Sequence, residues 1–216
     1  RGQPSLNDCL TKGPNLIELI PSILLRFRTG RLGVIADIKR AFLQIALSVA
    51  DRDFLRFLWY KDGQLTIYRH CRVVFGVNSS PFLLGAVLDH HMRKSLEMVD
   101  EGNSQFSKEV ILKLQRSWYV DNAVASVSTV EELEQFIQES TAILKMAQFE
   151  LRGWEYSDSK LNSSTETPVL GIYWDRKEDH LKLHIPDLDL KEYTSVVTRR
   201  KIVSAYQKIF DPIGMS

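Results

Sequence analysis

The sequence predicts an α+β fold built on an antiparallel sheet. Three observations lead there. Runs of β-prone residues alternate along the chain with runs of helical period. Hairpin signals are frequent, at Asp62-Gly63, Asp121-Asn122 and Lys177-Glu178-Asp179. Apolar residues make up 44% of a 216-residue chain, enough for one sizeable core and at most two small domains. Interleaved elements with many hairpins favour an antiparallel sheet with packed helices over a doubly wound parallel one.

Each element has a local reason. Residues 1–14 carry Pro4, Gly13 and Pro14 and read as loop. Leu16, Leu19, Ile20, Ile23, Leu24 and Phe27 recur with helical period behind Asn15 as N-cap, and Pro21 should kink or split that helix. Gly30 ends it. Leu32–Ala36 reads as a buried strand with Asp37 at its end. A strand near Phe54–Tyr60 turns at Asp62-Gly63 and returns over Leu65–Tyr68. Val73-Val74-Phe75 runs into a Gly76-Val77-Asn78-Ser79 loop, where Ser80 as N-cap and Pro81 at the first helical position start a helix to about Met98. Ser107–Gln115 is a further short helix. Thr129-Val130-Glu131-Glu132 fits a capping box and opens a helix to about Ala147, with Leu133, Phe136, Ile137, Ile143 and Leu144 inward. Phe149–Arg152 reads as a strand, Ser157–Thr167 as a polar loop, and Val169–Trp174 with His180–His184 as a last hairpin. Thr198–Phe210 is helical.

Composition excludes some classes. No run of about 18 apolar residues is present, so no membrane-spanning helix is expected. No charged-then-apolar segment opens the chain as a secretory signal would. Cys9 and Cys71 make no metal-ligand spacing, and free thiols in an intracellular setting are the default. Net charge is +1, but it is unevenly spread: residues 1–72 hold 12 Lys/Arg against 6 Asp/Glu. A basic front half, densest at Arg26, Arg28 and Arg31, suits phosphate contacts or is an ordinary solvated surface. His90-His91 sit at adjacent helix positions that do not face one another, and read as ordinary helix residues.

Chemistry concentrates in three segments. The first is Gly33–Phe42, a strand ending in Asp37 with an aromatic five residues on. The second is Val73–Phe82, a strand, loop and helix start. The third is Tyr119-Val120-Asp121-Asn122 between Ser117–Val120 and Ala123–Val127, read as a tight hairpin turning at Asp121-Asn122, because Asn tolerates positive φ. Asp37 at a strand end and Asp121 on a hairpin tip are suited to bringing carboxylates from separate strands to one point.

In this order the segments resemble motifs A (Asp37–Phe42), B (Phe75–Pro81) and C (Tyr119–Asn122) of a reverse transcriptase. The chain is most similar to the Pao/BEL type of long-terminal-repeat retrotransposon. Ser5-Leu6-Asn7-Asp8-Cys9-Leu10, Gly13-Pro14-Asn15-Leu16, Leu24-Leu25-Arg26-Phe27-Arg28 and Ile209-Phe210-Asp211-Pro212-Ile213-Gly214 extend the likeness over nearly the whole chain. The resemblance implies a ferredoxin-like polymerase palm, with partial fingers and the first palm strand over 1–72. The palm proper would span 73–174, and the end of the primer-grip hairpin and the start of thumb or connection 175–216. It implies RNA-directed DNA polymerisation, a nucleotidyl transfer to a primer 3′-hydroxyl. Two Mg²⁺ or Mn²⁺ ions would be held by Asp37 and Asp121, with Asn122 beside them. Ile38, Phe42, Gly76, Asn78, Ser79 and Tyr119 would meet the nucleotide, Phe42 as the ring that excludes a 2′-hydroxyl. For Asn78 and Ser79, loop capping is the alternative. Leu170-Gly171-Ile172-Tyr173-Trp174 would form the primer grip or a plain hairpin strand, and Arg152 would donate a proton to pyrophosphate. Implied partners are an RNA or DNA template-primer, a dNTP, and the protease, ribonuclease H and integrase parts of a Pol polyprotein. No membrane is implied. The setting would be cytoplasmic, with virus-like particles.

The chain departs from the pattern in places. Asn122 stands where most reverse transcriptases have a second aspartate, and Phe75 where retroviral enzymes often have Gln. The finger strands with the cationic clamp for the triphosphate would precede Arg1, so the isolated chain is expected to polymerise little. A degraded retroelement remnant, keeping the fold with weak nucleic-acid affinity, is the alternative. Another palm-type enzyme such as a nucleotide cyclase is disfavoured by the Phe75–Pro81 loop and helix and by the extension through Trp174.

Overall fold

The structure is a computed structural model and describes residues 2–160, 165–183, 198–206 and 210–212. It is an α+β arrangement of antiparallel sheets and packed helices. Strand β1 (Leu32–Ile38) is followed by α3 (Ala41–Gln44), the ribbon β2 (Arg56–Lys61) and β3 (Gln64–Arg69), and helices α4 (Ser80–Asp100) and α5 (Lys108–Gln115). The hairpin β4 (Trp118–Tyr119) and β5 (Asn122–Val127) comes next, then α6 (Val130–Met146) and β6 (Leu151–Tyr156). The main sheet has the order β4-β5-β1-β6, with every neighbour antiparallel. A second sheet, β7 (Glu166–Val169), β8 (Ile172–Asp175) and β9 (His180–Lys182), packs nearby. Upstream lie α1 (Leu6–Cys9) and α2 (Ile20–Phe27), and α7 (Arg199–Tyr206) lies near the end.

The alternation of β1 and β5 explains the two cores. Val34, Ala36 and Ile38 of β1, with Ala123, Ala125 and Val127 of β5, face a large cluster built by α4, α5 and α6. Ile35 and Val124 face the other way, onto Ile20, Ile23, Leu24 and Phe27 of α2 and onto Ile172 and Trp174. Both faces of the sheet are therefore covered, and its central strands read as near-continuous apolar runs. α6 carries the buried stripe expected of it, Leu133, Phe136, Ile143 and Leu144, with Ile137 half-buried. Its cap divides the work: the Thr129 hydroxyl accepts the Glu132 N–H at 3.2 Å, while the Glu132 carboxylate accepts from Ser128 rather than from Thr129.

The smaller core is tied by one carboxylate. Asp179 sits at positive φ in the β8–β9 turn and accepts from Arg28 (2.8 Å), the Trp174 indole (2.9 Å) and the Ser157 hydroxyl (3.0 Å). Burial pushes its pKa up, but those donors, Arg28 foremost, outweigh that and hold it below the usual carboxylate range. Phe27 and Trp174 meet edge to face at 4.9 Å.

Several expectations are corrected. Residues 1–14 are not all loop, because Ser5 and Asp8 cap each other and close the turn α1. Pro21 splits its helix, one of the two outcomes expected of it: a 3₁₀ turn, Leu16–Leu19, capped by Asn15, precedes α2, and Pro21 falls in the first turn, where its missing N–H costs nothing. Ser79, not Ser80, is the N-cap of α4, and the Ser80 hydroxyl instead donates to Val74 C=O at 2.7 Å. The last hairpin is a three-stranded meander, since Leu170-Gly171 is itself a turn with φ of 49° and 91°, the two positive values a type I′ hairpin needs. Residues 184, 207–209, 213 and 214, on which parts of the last hairpin, the closing helix and the Ile209–Gly214 likeness fall, lie outside the described residues.

β2 and β3 form a two-stranded ribbon whose residues are nearly all exposed. His91 behaves as an ordinary helix residue, its Nε2 2.6 Å from Ile143 C=O.

Gly33 generates a testable consequence. A Cβ there would lie 2.7 Å from Phe27 and 2.8 Å from Trp174. Gly33→Ala should therefore destabilise the protein by about 1–3 kcal/mol through overpacking, read by urea denaturation. A change of less than about 0.5 kcal/mol would show that the aromatic pair yields freely.

Candidate active site

The register of one strand pair builds the site. Asp37 of β1 lies directly opposite Asn122 of β5, and the pairing continues back through Leu32 and Val127 without a bulge. The hairpin tip just before Asn122 is thereby held against the end of β1, where the Ile38 N–H donates to the Asp121 carbonyl at 2.9 Å. Asp37 and Asp121 thus come to one end of the sheet from separate strands, near enough that the charge of one acts on the other.

The hairpin itself differs from the sequence expectation. Tyr119 pairs with Asn122, so the two loop residues are Val120-Asp121, not Asp121-Asn122. The reason is the two-sided burial of β5: alternation from Ala123 onward and pairing of Asn122 with Asp37 fix where the strand starts. Val120 takes φ of 55°, a value expected of Gly or Asn and rare for a β-branched residue. Such backbone costs on the order of 1–3 kcal/mol and persists where surrounding contacts over-determine it.

Charges at this tip are only partly compensated. Burial, then the Asp37 charge, pushes the Asp121 pKa above its ordinary value, against an opposing bond from its own backbone. The Asn122 side-chain amide donates to Asp121 Oδ1 at 3.0 Å. Arg152, directly across from Asp37 on β6, donates from Nε to Asp37 Oδ2 at 3.0 Å. Gly153, at φ of 62°, leaves the space: a Cβ there would lie 3.0 Å from Asp37 Oδ1. Among the described residues no cluster of three His, Cys, Asp or Glu that could hold a metal is found. The donor set is two carboxylates with an amide beside them. Hard oxygens of this kind suit Mg²⁺, which is commonly held by one or two carboxylates together with substrate phosphates.

The other expected residues fall in three groups. Ile38 is buried in the larger core, so its side chain faces away from any cleft. Phe42 is also buried, at 4% exposure, and meets Phe75 edge to face at 4.7 Å, while Phe75 is 73% exposed. Gly76 is at φ of 84° with open space around it. The loop that carries it is held from a distance: the Asn7 side chain donates to Gly76 C=O and accepts the Asn78 N–H, both at 2.9 Å, and the Asn78 amide donates to Asn7 C=O. Asn78 thus serves as a loop brace, and Ser79 caps α4 through its backbone, with Leu83 N–H on its carbonyl at 2.9 Å. Of the Leu170–Trp174 run, Ile172 and Trp174 are core residues, and Leu170-Gly171 form the β7–β8 turn. That turn shares a cavity of about 440 Å³ with Tyr119 and Asn122.

Sequence reasoning missed Asn7, the exposed ring of Phe75, the Arg152–Asp37 pair and the role of Gly153. Only the last had a readable signal, a glycine inside a strand. Cys9 and Cys71 are free, as expected, and no described helix is long and apolar enough to cross a membrane. In comparison with known proteins, the chain matches no family model and no curated protein.

The raised pKa of Asp121 has a sign that can be tested. The folded group binds a proton more tightly than the unfolded one, so its ionisation opposes folding above the folded pKa, and the penalty disappears below the ordinary carboxylate range. Without divalent ions, Asp121→Asn should raise the melting temperature at neutral pH, by about 2 °C for each ~1 kcal/mol relieved. The gap to wild type should close as pH falls. A variant that melts lower at neutral pH would mean that the Asp121 charge is stabilised in place.

Proposed function

We propose that this chain is the palm of a reverse transcriptase of the Pao/BEL retrotransposon type, an RNA-directed DNA polymerase. The observation that carries the reading is the Asp37–Asn122 register, which sets a strand-end aspartate beside a hairpin-tip aspartate whose charges act on each other. The strand order supports it. Strand, helices, hairpin, helix, strand, with the order β4-β5-β1-β6, is the connectivity of a ferredoxin-like split βαβ unit. The motif likeness supplies the particular chemistry.

On this reading Asp37 and Asp121 hold two Mg²⁺ or Mn²⁺ ions, which when bound activate the primer hydroxyl and neutralise the leaving pyrophosphate. The chain's own residues do the rest. β1 and the hairpin fix the two carboxylates in place, so little reorganisation is needed when charge develops. Arg152 compensates Asp37 when no ion is bound. The Gly76 loop, braced by Asn7, presents open backbone to the base and sugar. Phe42, backed against Phe75, closes the space a 2′-hydroxyl would need. The Leu170-Gly171 turn beside Tyr119 supports the primer end.

A second reading is favoured by one observation. Asn122 contributes no charge, and its amide occupies a lone pair of Asp121. A remnant that keeps the palm and has lost catalysis fits that as well.

Primer extension by a polypeptide carrying this segment together with a cationic triphosphate site distinguishes the two. The enzyme reading expects incorporation of dNTP with Mg²⁺ or Mn²⁺ and a loss of at least about 10²–10³ in rate with Asp37→Asn. Asn122→Asp should alter the rate modestly. An inert parent rescued by Asn122→Asp over several orders of magnitude would establish the remnant. Activity indifferent to Asp37→Asn would end the catalytic assignment.

A further inference from the structure

We propose that the open edge of β5, at the end of the sheet away from Asp37 and Asp121, is a binding site for phosphate groups. β4 covers only Asn122 and Ala123, so the rest of that edge has no strand beside it. The Val124 N–H points outward, donating to Ser117 C=O at 2.8 Å. Antiparallel alternation turns the Ser126 N–H and C=O the same way, and the Ser126 carbonyl does meet Lys113 Nζ at 3.2 Å. The Ser126 N–H thus faces a pocket of about 390 Å³, lined by the ends of α2 and α5, and no described group accepts from it.

Three cations line this pocket: Arg26, Lys113 and Arg116. None of them is in an ion pair among the described residues, although their near neighbours Arg28 and Lys108 are paired with Asp179 and Asp100. Arg26 is held by backbone: its Nη2 donates to Arg116 C=O at 3.1 Å, with a longer contact to Ser22 Oγ. Nε and Nη1 remain to donate elsewhere. The Arg116 guanidinium has no hydrogen bond within the described residues. The one carboxylate in the lining, Glu109, stands a turn before Lys113 and is bonded to none of the three.

Helix C-termini favour cations, which accounts for Arg26 and Lys113 singly. It does not account for their convergence with Arg116 and an outward strand N–H on one concave edge. That combination of forked donors, a point charge and a backbone amide is the chemistry that recognises phosphate. A strand advances about 3.4 Å per residue, so Ser126 is about 14 Å from Asn122, and the site is separate from the acidic tip. It stands whether or not the chain polymerises. The phosphate could belong to a free nucleotide or to the backbone of a nucleic-acid strand.

The test titrates the folded chain with inorganic pyrophosphate and, separately, with a short oligothymidylate. It is done at physiological ionic strength with a chelator present, so that the acidic tip repels both. Calorimetry gives affinity and amide NMR gives location. The expected result is saturable binding of at least one ligand with a shift of the Ser126 amide. Affinity should fall about tenfold or more in Lys113→Gln/Arg116→Gln, as for loss of charge-assisted bonds. Binding of pyrophosphate alone identifies a free phosphate ligand, and tighter binding of the oligonucleotide identifies a strand backbone. Arg116→Gln alone, at an exposed side chain with no protein partner, should weaken binding at least about threefold and decides the matter if the double variant fails to fold. Absence of binding by both ligands, shifts elsewhere, or affinity unchanged in the variants overturns the proposal.

Discussion

The pairing of β1 with β5 is the constraint on which the rest depends. It is the centre of the main sheet, and both strands have apolar residues on both faces. A slip of β1 by one residue would turn Val34, Ala36 and Ile38 from the helical core toward α2, while Ala123 and Ala125 of β5 stayed on the helical side. The register is thus fixed by burial on two sides at once. What burial fixes, the polar end inherits. Asp37 stands opposite Asn122, and the hairpin tip is delivered to the end of β1, because nothing else satisfies both cores.

The tip shows what that delivery costs. Val120 is held at positive φ, and Asp121 is partly buried beside a like charge. Neither feature serves folding. Both persist because the Ile38–Asp121 backbone bond and the sheet behind it over-determine the geometry. Local violations of this kind, supported by a consistent scaffold, are what a functional site is expected to look like. Arg152 and Gly153 on β6 complete the arrangement, one by placing a cation on Asp37, the other by leaving room for its carboxylate.

Much of this was legible in the sequence, for identifiable reasons. α6 announces itself by Thr129 and a clean apolar stripe, and the ribbon β2–β3 by Asp62-Gly63, because period and turn chemistry are local. The split at Pro21 was legible for the same reason. The position of the turn before Asn122 was not: Asn122 is the better turn residue by propensity, but the register with β1 is a long-range fact that outweighs it. Leu170-Gly171 was misread as strand because a leucine at positive φ leaves no mark in composition. The burial of Ile38 and Trp174 follows from which sheet face each occupies, and that of Phe42 from the inward side of the short helix α3. Asn7 could not have been found at all, since its partners lie some seventy residues downstream.

On the proposed reading, strand register makes Asp37 and Asp121 one cation site. Paramagnetic broadening of backbone amide signals by substoichiometric Mn²⁺ tests this most directly, since it reports where the ion sits without requiring turnover. The account predicts that the amides of Asp37, Ile38, Asp121 and Asn122 broaden first and together, and that Asp37→Asn abolishes the effect at all four. Early broadening at other carboxylates, with these four amides left sharp, would contradict it.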